Sequence, residues 1–369
     1  MENSKISIQE LQELLNEKQP VFILDIRPQQ QWEEWRIADS FHKDAYTELN
    51  NGDKNILDDI NAPRNVPIVT VCAAGRVSQI ATGLLNEKGY EAYSLEGGMK
   101  AWNYAWNKAE YTLEHTDVKI IQVRRVAKGC LSYIIGSGGE AIVVDASLDP
   151  EVYLDIAKEH NWTIRYVMDT HIHADYIART RELAAASRAK HMLINNAEVE
   201  YPYTSIENHQ AICFGDAELR VLHTPGHTWE STSYLINDTA LLSGDTLFID
   251  GVGRPDLKAD GEEVVRKAGS LFDSLQRILS LQPDTIVLPA HTAGAVPFDG
   301  KIIKQSLAAL MTEIDLLSLE KEAFIEVSLH RIPPTPPNYL TIAALNKKGS
   351  YEGVIPADLE AGANRCAIG

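Results

Sequence analysis

Residues 170–176 of this 369-residue chain read THIHADY, and the largely apolar run Ile164–Met168 ends one residue before them. Two histidines and an aspartate, His171, His173 and Asp175, therefore lie within five residues. The apolar run predicts a buried strand, so the three side chains follow that strand on a turn. Core packing does not explain this cluster, whereas imidazole and carboxylate groups at a strand end are suitable ligands for zinc or ferrous iron.

Three further motifs follow apolar runs in the same way and add polar groups of the same kind. They are HTPGHT at 223–228, GDTLF at 244–248 and PAH at 289–291, and they supply His227, Asp245 and His291. One such cluster arises easily by chance, but four in succession do not. The sequence therefore predicts a metal centre assembled at the ends of several strands. His223, which opens the first of these motifs, is interpreted as a structural histidine.

A different kind of site is indicated in the first third of the chain, where the apolar run Pro67–Val71 ends at Cys72. The loop 73–77 follows, and a helical pattern begins near Gln79. In a parallel sheet this edge is where ligands bind. Loop N–H groups, the start of the helix and the charge of Arg76 each favour a thiolate, the form that attacks sulfur. Cys72 is thus a candidate nucleophile, and the alternative is a structural cysteine that ends a strand.

The pattern of apolar residues divides the chain into two domains. Residues 1–108 alternate short apolar runs with helical patterns, which predicts an α/β domain with a parallel sheet. Ser7 and Glu10 have capping-box spacing at the start of its first helix. Residues 106–116 are polar and without a period, and the second domain is predicted over 117–369, beginning with a β-meander.

Within the second domain the longest helical patterns cover 262–281 and 301–319. The tail is rich in proline over 332–337, and we expect it to be irregular from there onward. Of the remaining cysteines, Cys130 and Cys213 lie in strand-like segments and are expected in the core. Cys366 is expected to pack against the domain.

Composition and charge exclude several classes of partner. Lys and Arg number 34 against 52 Asp and Glu, a formal net charge of −18 that would repel a nucleic acid. Four widely spaced cysteines without a CxxC pair fit a reducing compartment. The chain shows no secretory signal and no apolar run of about 18 residues, so we expect a cytoplasmic protein that does not span a membrane. A homo-oligomer stays open.

The first domain resembles the rhodanese family. The resemblance rests on LDIR at 24–27 with Trp32, the Cys-x-x-Gly-x-x-Ser loop at 72–78, and LEGGM at 95–99 with Trp102. It implies a sulfurtransferase in which Cys72 carries a sulfane sulfur, the 73–77 backbone cradles it and Arg76 assists substrate or charge. The family usually has Gly-His where this chain has residues 34–37, EWRI, a difference expected to affect packing.

The four histidine and aspartate motifs resemble those of the metallo-β-lactamase superfamily, over roughly residues 117–300. The resemblance implies an αβ/βα sandwich with the metal at one edge, between the two sheets. Many hydrolytic members hold two metals, and in them an HxHxDH element supplies the second site with its Asp and final His. Tyr176 replaces that final His here. Because a phenol that titrates near pH 10 is a poor zinc ligand, the replacement favours a mononuclear centre.

A mononuclear centre, together with Arg254 in the stretch GVGRPD at 251–256, resembles the persulfide dioxygenases, which are relatives of glyoxalase II. The resemblance implies one Fe(II) per chain with room beside it for O₂ and the substrate sulfur. The implied iron ligands are His171, His227 and Asp245. Arg254 would bind substrate, and the groups expected to surround and orient the ligands are His173, Asp175, Tyr176 and His291.

Together these resemblances predict an enzyme of sulfur metabolism. Cys72 would take sulfane sulfur from a donor and pass it to a low-molecular-weight thiol, and iron would then oxidise the persulfide with O₂ to sulfite and thiol. The opposite order, in which the rhodanese domain removes sulfite, is equally compatible with the sequence. Two alternatives stay open. One is a zinc-dependent thioester hydrolase of the glyoxalase II kind, and the other is a non-enzymatic sulfur-sensing or scaffold protein.

Overall fold

The protein is described from a computed structural model, which covers residues 4–257, 259–336 and 338–369. The first part of the chain forms a five-stranded sheet of order β1-β5-β4-β2-β3, in which every neighbouring pair of strands is parallel. The parallel α/β domain predicted from the sequence is confirmed. In chain order its elements are β1 Lys5–Ile6, α1 Ile8–Asn16, β2 Phe22–Asp25, α2 Gln29–Glu34, β3 Phe41–His42, α3 Tyr46–Asn50, β4 Ile68–Val71, α4 Val77–Glu87, β5 Ala92–Leu95 and α5 Gly98–Trp102.

The first helix begins where the capping box predicts. The Ser7 hydroxyl accepts a hydrogen bond from the Glu10 N–H, and the Glu10 carboxylate accepts one from the Ser7 N–H. Two N–H groups that the helix leaves without internal partners are satisfied in this way. Leu11, on the inner face, is fully buried.

The second part of the chain forms two further large sheets. A seven-stranded sheet has the order β12-β11-β10-β9-β8-β7-β6, and a six-stranded sheet has the order β13-β14-β15-β16-β18-β19. Their strands are β6 Trp106–Thr112, β7 Lys119–Arg125, β8 Leu131–Ser137, β9 Glu140–Val144, β10 Thr163–Met168, β11 Lys190–Ile194, β12 Thr204–Ile206, β13 Ala211–Phe214, β14 Ala217–His223, β15 Thr232–Ile236, β16 Ala240–Gly244, β17 Val252–Gly253, β18 Ile286–Pro289, β19 Gln305–Ser306 and β20 Ala367–Ile368. Strands β17 and β20 pair separately.

The two large sheets pack face to face, with helices on both outer sides. One apolar cluster joins the inner faces, for example Ile135 and Met168 with Val221 and Leu242. This layered arrangement is the αβ/βα sandwich expected from the sequence, and that prediction is confirmed. The helices are α6 Pro150–Glu159, α7 Thr180–Ser187, α8 Gly261–Leu279, α9 Leu307–Glu313, α10 Lys321–His330, α11 Tyr339–Lys348 and α12 Pro356–Glu360, with a 3₁₀ helix at Asp315–Ser318.

Three local predictions were wrong. The stretch expected to be irregular at 106–116 contains β6, which pairs with β7 along its whole length. The long helix expected over 301–319 is shorter, because Ser306 caps a helix that starts only at Leu307 and the backbone of Ile314 is extended. The tail beyond residue 332 contains two helices and a strand.

The two sheet systems share an apolar contact. Leu11 and Trp102 from the first part of the chain belong to the same buried cluster as Val126 and Val296 from the second. The Gln12 side chain also accepts a hydrogen bond from the Trp106 N–H. The two parts therefore pack directly on each other through buried side chains. In the ranges that the structure covers, no helix is long and apolar enough to cross a membrane.

Candidate metal centre and candidate thiol site

The metal-binding motifs converge because each follows the end of a strand at one edge of the sandwich. His171 lies shortly after β10, His227 after β14, Asp245 directly after β16 and His291 shortly after β18. One ligand atom from each of His171, His227 and Asp245 lies within 4.8 Å of the others, and all three side chains are buried. The three residues that the resemblance implies as iron ligands are thus brought together.

The spacing of these atoms suits a single ion. The Nε2 atoms of His171 and His227 lie 3.6 and 3.5 Å from Oδ2 of Asp245. Two ligands that each lie about 2.1 Å from one ion are themselves separated by roughly 3–3.5 Å. Oδ2 of Asp245 is buried and has no hydrogen-bond partner among the described residues. An unpaired buried carboxylate oxygen is costly, and a cation between it and the two imidazoles would satisfy it.

Hydrogen bonds at the far nitrogen orient both histidine ligands. Nδ1 of His171 lies 2.9 Å from the Thr170 hydroxyl, which itself donates to Asp145. Nδ1 of His227 lies 2.9 Å from the Arg254 carbonyl oxygen. Each ring therefore donates through Nδ1 and keeps the Nε2 lone pair for a metal.

The protonation states also suit a metal site. Burial lowers the pKa of His227 to about 3. Burial, with the neighbouring His173, also lowers the pKa of His171. Burial alone would raise the pKa of Asp245, but the charge of His291 and the other histidines lowers it. The site thus offers two neutral imidazoles and one carboxylate, the forms that bind a divalent metal.

His291 joins Asp245 to Asp175. Its Nδ1 lies 2.6 Å from Oδ1 of Asp245, and its Nε2 lies 3.0 Å from Oδ2 of Asp175. Burial disfavours a charged imidazole, yet the two carboxylates raise the pKa of His291 well above its usual value. His291 is therefore a charged bridge that holds Asp245 by one oxygen and leaves the other oxygen facing the histidines.

His173 and Tyr176 lie beside the ligand trio, and the His173 ring centroid is 4.1 Å from that of His171. Nε2 of His173 lies 3.0 Å from Oδ1 of Asp145, and the Tyr176 hydroxyl donates to the Asp145 carbonyl oxygen at 3.4 Å. The two rings stack, with centroids 4.3 Å apart. Burial, with the Asp145 carboxylate next in importance, raises the pKa of Tyr176 well above its ordinary value. Tyr176 is consequently a neutral phenol with its oxygen engaged by the backbone.

Sequence reasoning missed several residues of this centre. Asp145 follows β9 as the ligands follow their strands, and it holds both Thr170 and His173. That shared position at a strand end was a usable signal.

Cys130 is buried as expected, but its thiol donates to Asp175. Cys213 was expected in the core and is exposed.

An open cavity of about 400 Å³ lies beside the ligands. Ile172 and Thr228, the chain neighbours of the two histidine ligands, are part of its wall. Trp229 is 39% exposed at this cavity, a high value for a tryptophan. An exposed aromatic ring beside polar groups is typical of ligand cavities, which makes this cavity a candidate substrate site.

Arg254 lies under the centre rather than in this cavity, and it is fully buried. Its guanidinium makes a two-point ion pair with Asp256 and donates to the carbonyl oxygens of Pro333 and Arg365. The N–H groups of the guanidinium are therefore used in hydrogen bonds within the protein. The binding of substrate by Arg254 stays a prediction.

In the first domain, Cys72 directly follows β4 and lies at the carboxyl edge of the parallel sheet, 1% exposed. Its sulfur accepts a hydrogen bond from the Gly75 N–H at 3.2 Å and lies 3.3 Å from the Ser78 hydroxyl. The turn of α5 packs closely here, since a Cβ on Gly98 would lie 2.2 Å from the Cys72 carbonyl oxygen. The LEGGM motif thus has a steric reason: it supports the loop that surrounds the thiol.

Arg76 is the N-cap residue of α4, but its side chain is exposed and donates to the side-chain oxygen of Asn50. From the sequence, the positive charge of Arg76 was predicted to lie next to the Cys72 sulfur. The structure directs it toward α3, where it could meet an incoming anion rather than the buried thiol. Its role in sulfur transfer stays a prediction.

Two family models match the chain in the order that the fold shows. Residues 7–105 match the Rhodanese-like domain, and residues 125–291 match the Metallo-beta-lactamase superfamily. A probable polyketide biosynthesis zinc-dependent hydrolase, PksB, from Bacillus subtilis is 31% identical over 164 residues, which cover 42% of this chain and 69% of that protein. The chain belongs to the metallo-β-lactamase superfamily and carries a rhodanese-like domain before that fold.

Two further proteins are similar to parts of the chain. A hydroxyacylglutathione hydrolase from Rhodospirillum rubrum is 33% identical over 42% of this chain, and the match spans only 57% of that hydrolase. The crystal structure of ETHE1 from Myxococcus xanthus aligns with a TM-score of 0.55 and 26% identity, over 63% of this chain and 99% of ETHE1. The chain is thus similar both to a hydroxyacylglutathione hydrolase and to ETHE1.

Proposed function

We propose that the protein oxidises the persulfide of a low-molecular-weight thiol at a single ferrous ion, and that Cys72 exchanges sulfane sulfur with the substrate or product of that reaction. The observation that carries the proposal is that the residues which would bind a second metal ion do not form a complete set of ligands. Tyr176 stands where the HxHxDH element has its final His, and its phenol oxygen is hydrogen-bonded to the Asp145 carbonyl oxygen, so one ligand of a second metal is missing. The remaining set of two imidazoles and one carboxylate is that of mononuclear iron oxygenases.

Each residue of the centre has a definable task in this proposal. His171, His227 and Asp245 would hold the ion, which when bound supplies the redox chemistry that zinc lacks. Thr170 and the Arg254 carbonyl keep the two rings in the binding orientation. The cavity beside Trp229 would admit the persulfide. The net reaction consumes one persulfide, one O₂ and one water and yields one thiol, one sulfite and two protons.

The thiol site would act on the same class of sulfur. Cys72 takes the outer sulfur of a donor such as thiosulfate, and that donor leaves as sulfite. The cysteine persulfide then passes its outer sulfur to a thiol, which returns Cys72 to its starting form. The hydrogen bond from the Gly75 N–H supports this assignment, because it stabilises negative charge on the sulfur.

The direct test is turnover with a pre-formed persulfide. Protein prepared anaerobically and supplied with ferrous iron should consume O₂ with glutathione persulfide and release sulfite in equal amount. Zinc-loaded protein serves as the matched control and should show no O₂ consumption. Absence of O₂ uptake from iron-loaded protein that retains its metal would contradict the proposal.

A second candidate is a zinc-dependent thioester hydrolase. The hydroxyacylglutathione hydrolase and the zinc-dependent hydrolase to which the chain is similar favour it. In that case a metal-activated water would attack a thioester carbonyl. Release of glutathione from S-lactoylglutathione by the zinc-loaded protein, without O₂ uptake by the iron-loaded protein, would favour this alternative.

A further inference from the structure

The C-terminal tail, residues 363–369, lies against the metal centre. Its strand β20 pairs with β17, and Cys366 is 1% exposed. Strand β17 in turn rests on a metal-ligand loop, since a Cβ on Gly253 would lie 2.0 Å from the carbonyl oxygen of Asp245. The tail is therefore packed onto the same segment that contacts a metal ligand.

Asn364 connects this tail to one ligand through hydrogen-bonding groups. Its amide nitrogen donates to Oδ2 of Asp175 at 2.8 Å, and its oxygen accepts from the Cys366 N–H at 2.8 Å. Asp175 is paired with His291, and His291 holds Oδ1 of Asp245. A continuous chain of polar contacts thus runs from the tail amide to the ligand carboxylate.

A second route leads from the tail to another ligand. The Cys366 carbonyl oxygen accepts from the Arg254 N–H at 2.9 Å, and Nη1 of Arg254 donates to the Arg365 carbonyl oxygen at 3.0 Å. The carbonyl oxygen of Arg254 is the group that orients His227. The tail consequently contacts the supports of two of the three ligands. The Cys366 sulfur itself lies within 4.8 Å of ligand atoms of Asp245 and His291.

We propose that Asn364, Arg365 and Cys366 form a positioning element of the metal centre, which fixes Asp245 through Asp175 and His291 and fixes His227 through Arg254. None of the three residues needs to touch the substrate for this role. Outer partners of metal ligands affect metal affinity because they set ligand orientation and basicity. The inference rests on the ligand set of the proposed function but not on the oxidation of persulfides.

Metal binding by an Asn364→Ala variant of the full chain tests this element. We expect its affinity for Co(II), measured by competition with a chelator, to fall about 10-fold, the lower end of the range for such outer partners. The visible spectrum of bound Co(II) should change as well, because the ligand field depends on the direction of Asp245. Asn195→Ala is the matched control, since Asn195 also donates to a carboxylate, that of Glu207, at a site outside this network.

An Asn364→Asp variant keeps the oxygen that accepts from the Cys366 N–H, removes the donor to Asp175 and places a second carboxylate beside it, so it disturbs the same contact and gives a second test if the alanine variant does not fold. Sulfur transfer from thiosulfate to cyanide and the unfolding temperature report whether each variant is intact. A folded Asn364→Asp variant with unchanged Co(II) affinity and spectrum would overturn the proposal. Because the readout is metal binding, this result is independent of whether the enzyme oxidises persulfides.

Discussion

The two candidate sites lie at strand ends but are built in opposite ways. At the thiol site one reactive atom, the Cys72 sulfur, is surrounded by a backbone N–H and a serine hydroxyl. At the metal centre three ligands are held by a buried network of carboxylates, hydroxyl and imidazole groups. The first site depends on one atom and the local loop. The second depends on groups far apart in the sequence, so it can be damaged at positions that never touch substrate.

The largest effect is expected for His227→Ala. Loss of one of three ligands should reduce metal affinity by roughly 100-fold or more and abolish O₂ uptake. Transfer of sulfur from thiosulfate to cyanide should persist, because Cys72 lies in the other domain. His209→Ala, at an exposed histidine, is the control. Equal loss of both activities in His227→Ala would show that the sites are not separate.

Cys72→Ser gives the reverse pattern. A hydroxyl is a poor sulfur nucleophile, so sulfur transfer should fall by at least about 100-fold, while O₂ uptake with a pre-formed persulfide continues. Cys213→Ser, at an exposed cysteine, should leave sulfur transfer unchanged. If O₂ uptake required Cys72 even with a pre-formed persulfide, the thiol site and the metal centre would not be independent.

A smaller effect is expected for Thr170→Val, which tests the network rather than a ligand. The change removes the hydroxyl between His171 and Asp145 without altering side-chain volume greatly. Metal affinity should fall about 10-fold, as measured by chelator competition. Thr312→Val, at an exposed threonine, controls for the substitution. Unchanged metal affinity in Thr170→Val would show that the network does not orient the ligand.

The smallest effect is expected for Tyr176→Phe. The phenol oxygen donates only to a backbone carbonyl at 3.4 Å, so its loss should cost about 1 kcal/mol of stability or less. The number of metal ions per chain should stay the same, as measured by elemental analysis. A drop in bound metal would instead identify Tyr176 as a ligand.

The parts of the fold that the sequence predicted correctly are set by local patterns. The capping box of Ser7 and Glu10 depends on residues three apart, and apolar runs directly precede the motifs at His171 and Asp245. Since each motif follows a strand, their meeting at one sheet edge follows from the topology. The resemblance to known families then indicated which of these residues are the metal ligands, namely His171, His227 and Asp245.

The remaining features depend on contacts that no local pattern contains. Arg76 turns toward Asn50 because that amide oxygen lies across the surface in α3, and Arg254 is buried by partners about 80 to 110 residues later in the chain. The tail was expected to be irregular, yet Asn364 and Cys366 are fixed by long-range hydrogen bonds to the centre. Such pairings become visible only in three dimensions.

The metal content of protein purified anaerobically, without added metal, tests the central claim most directly. Elemental analysis should find about one iron per chain and little zinc, as expected for a centre held by His171, His227 and Asp245. Two zinc ions per chain would contradict this account, because Tyr176 supplies a neutral phenol, bound to the Asp145 carbonyl oxygen, where a second ion would need an imidazole.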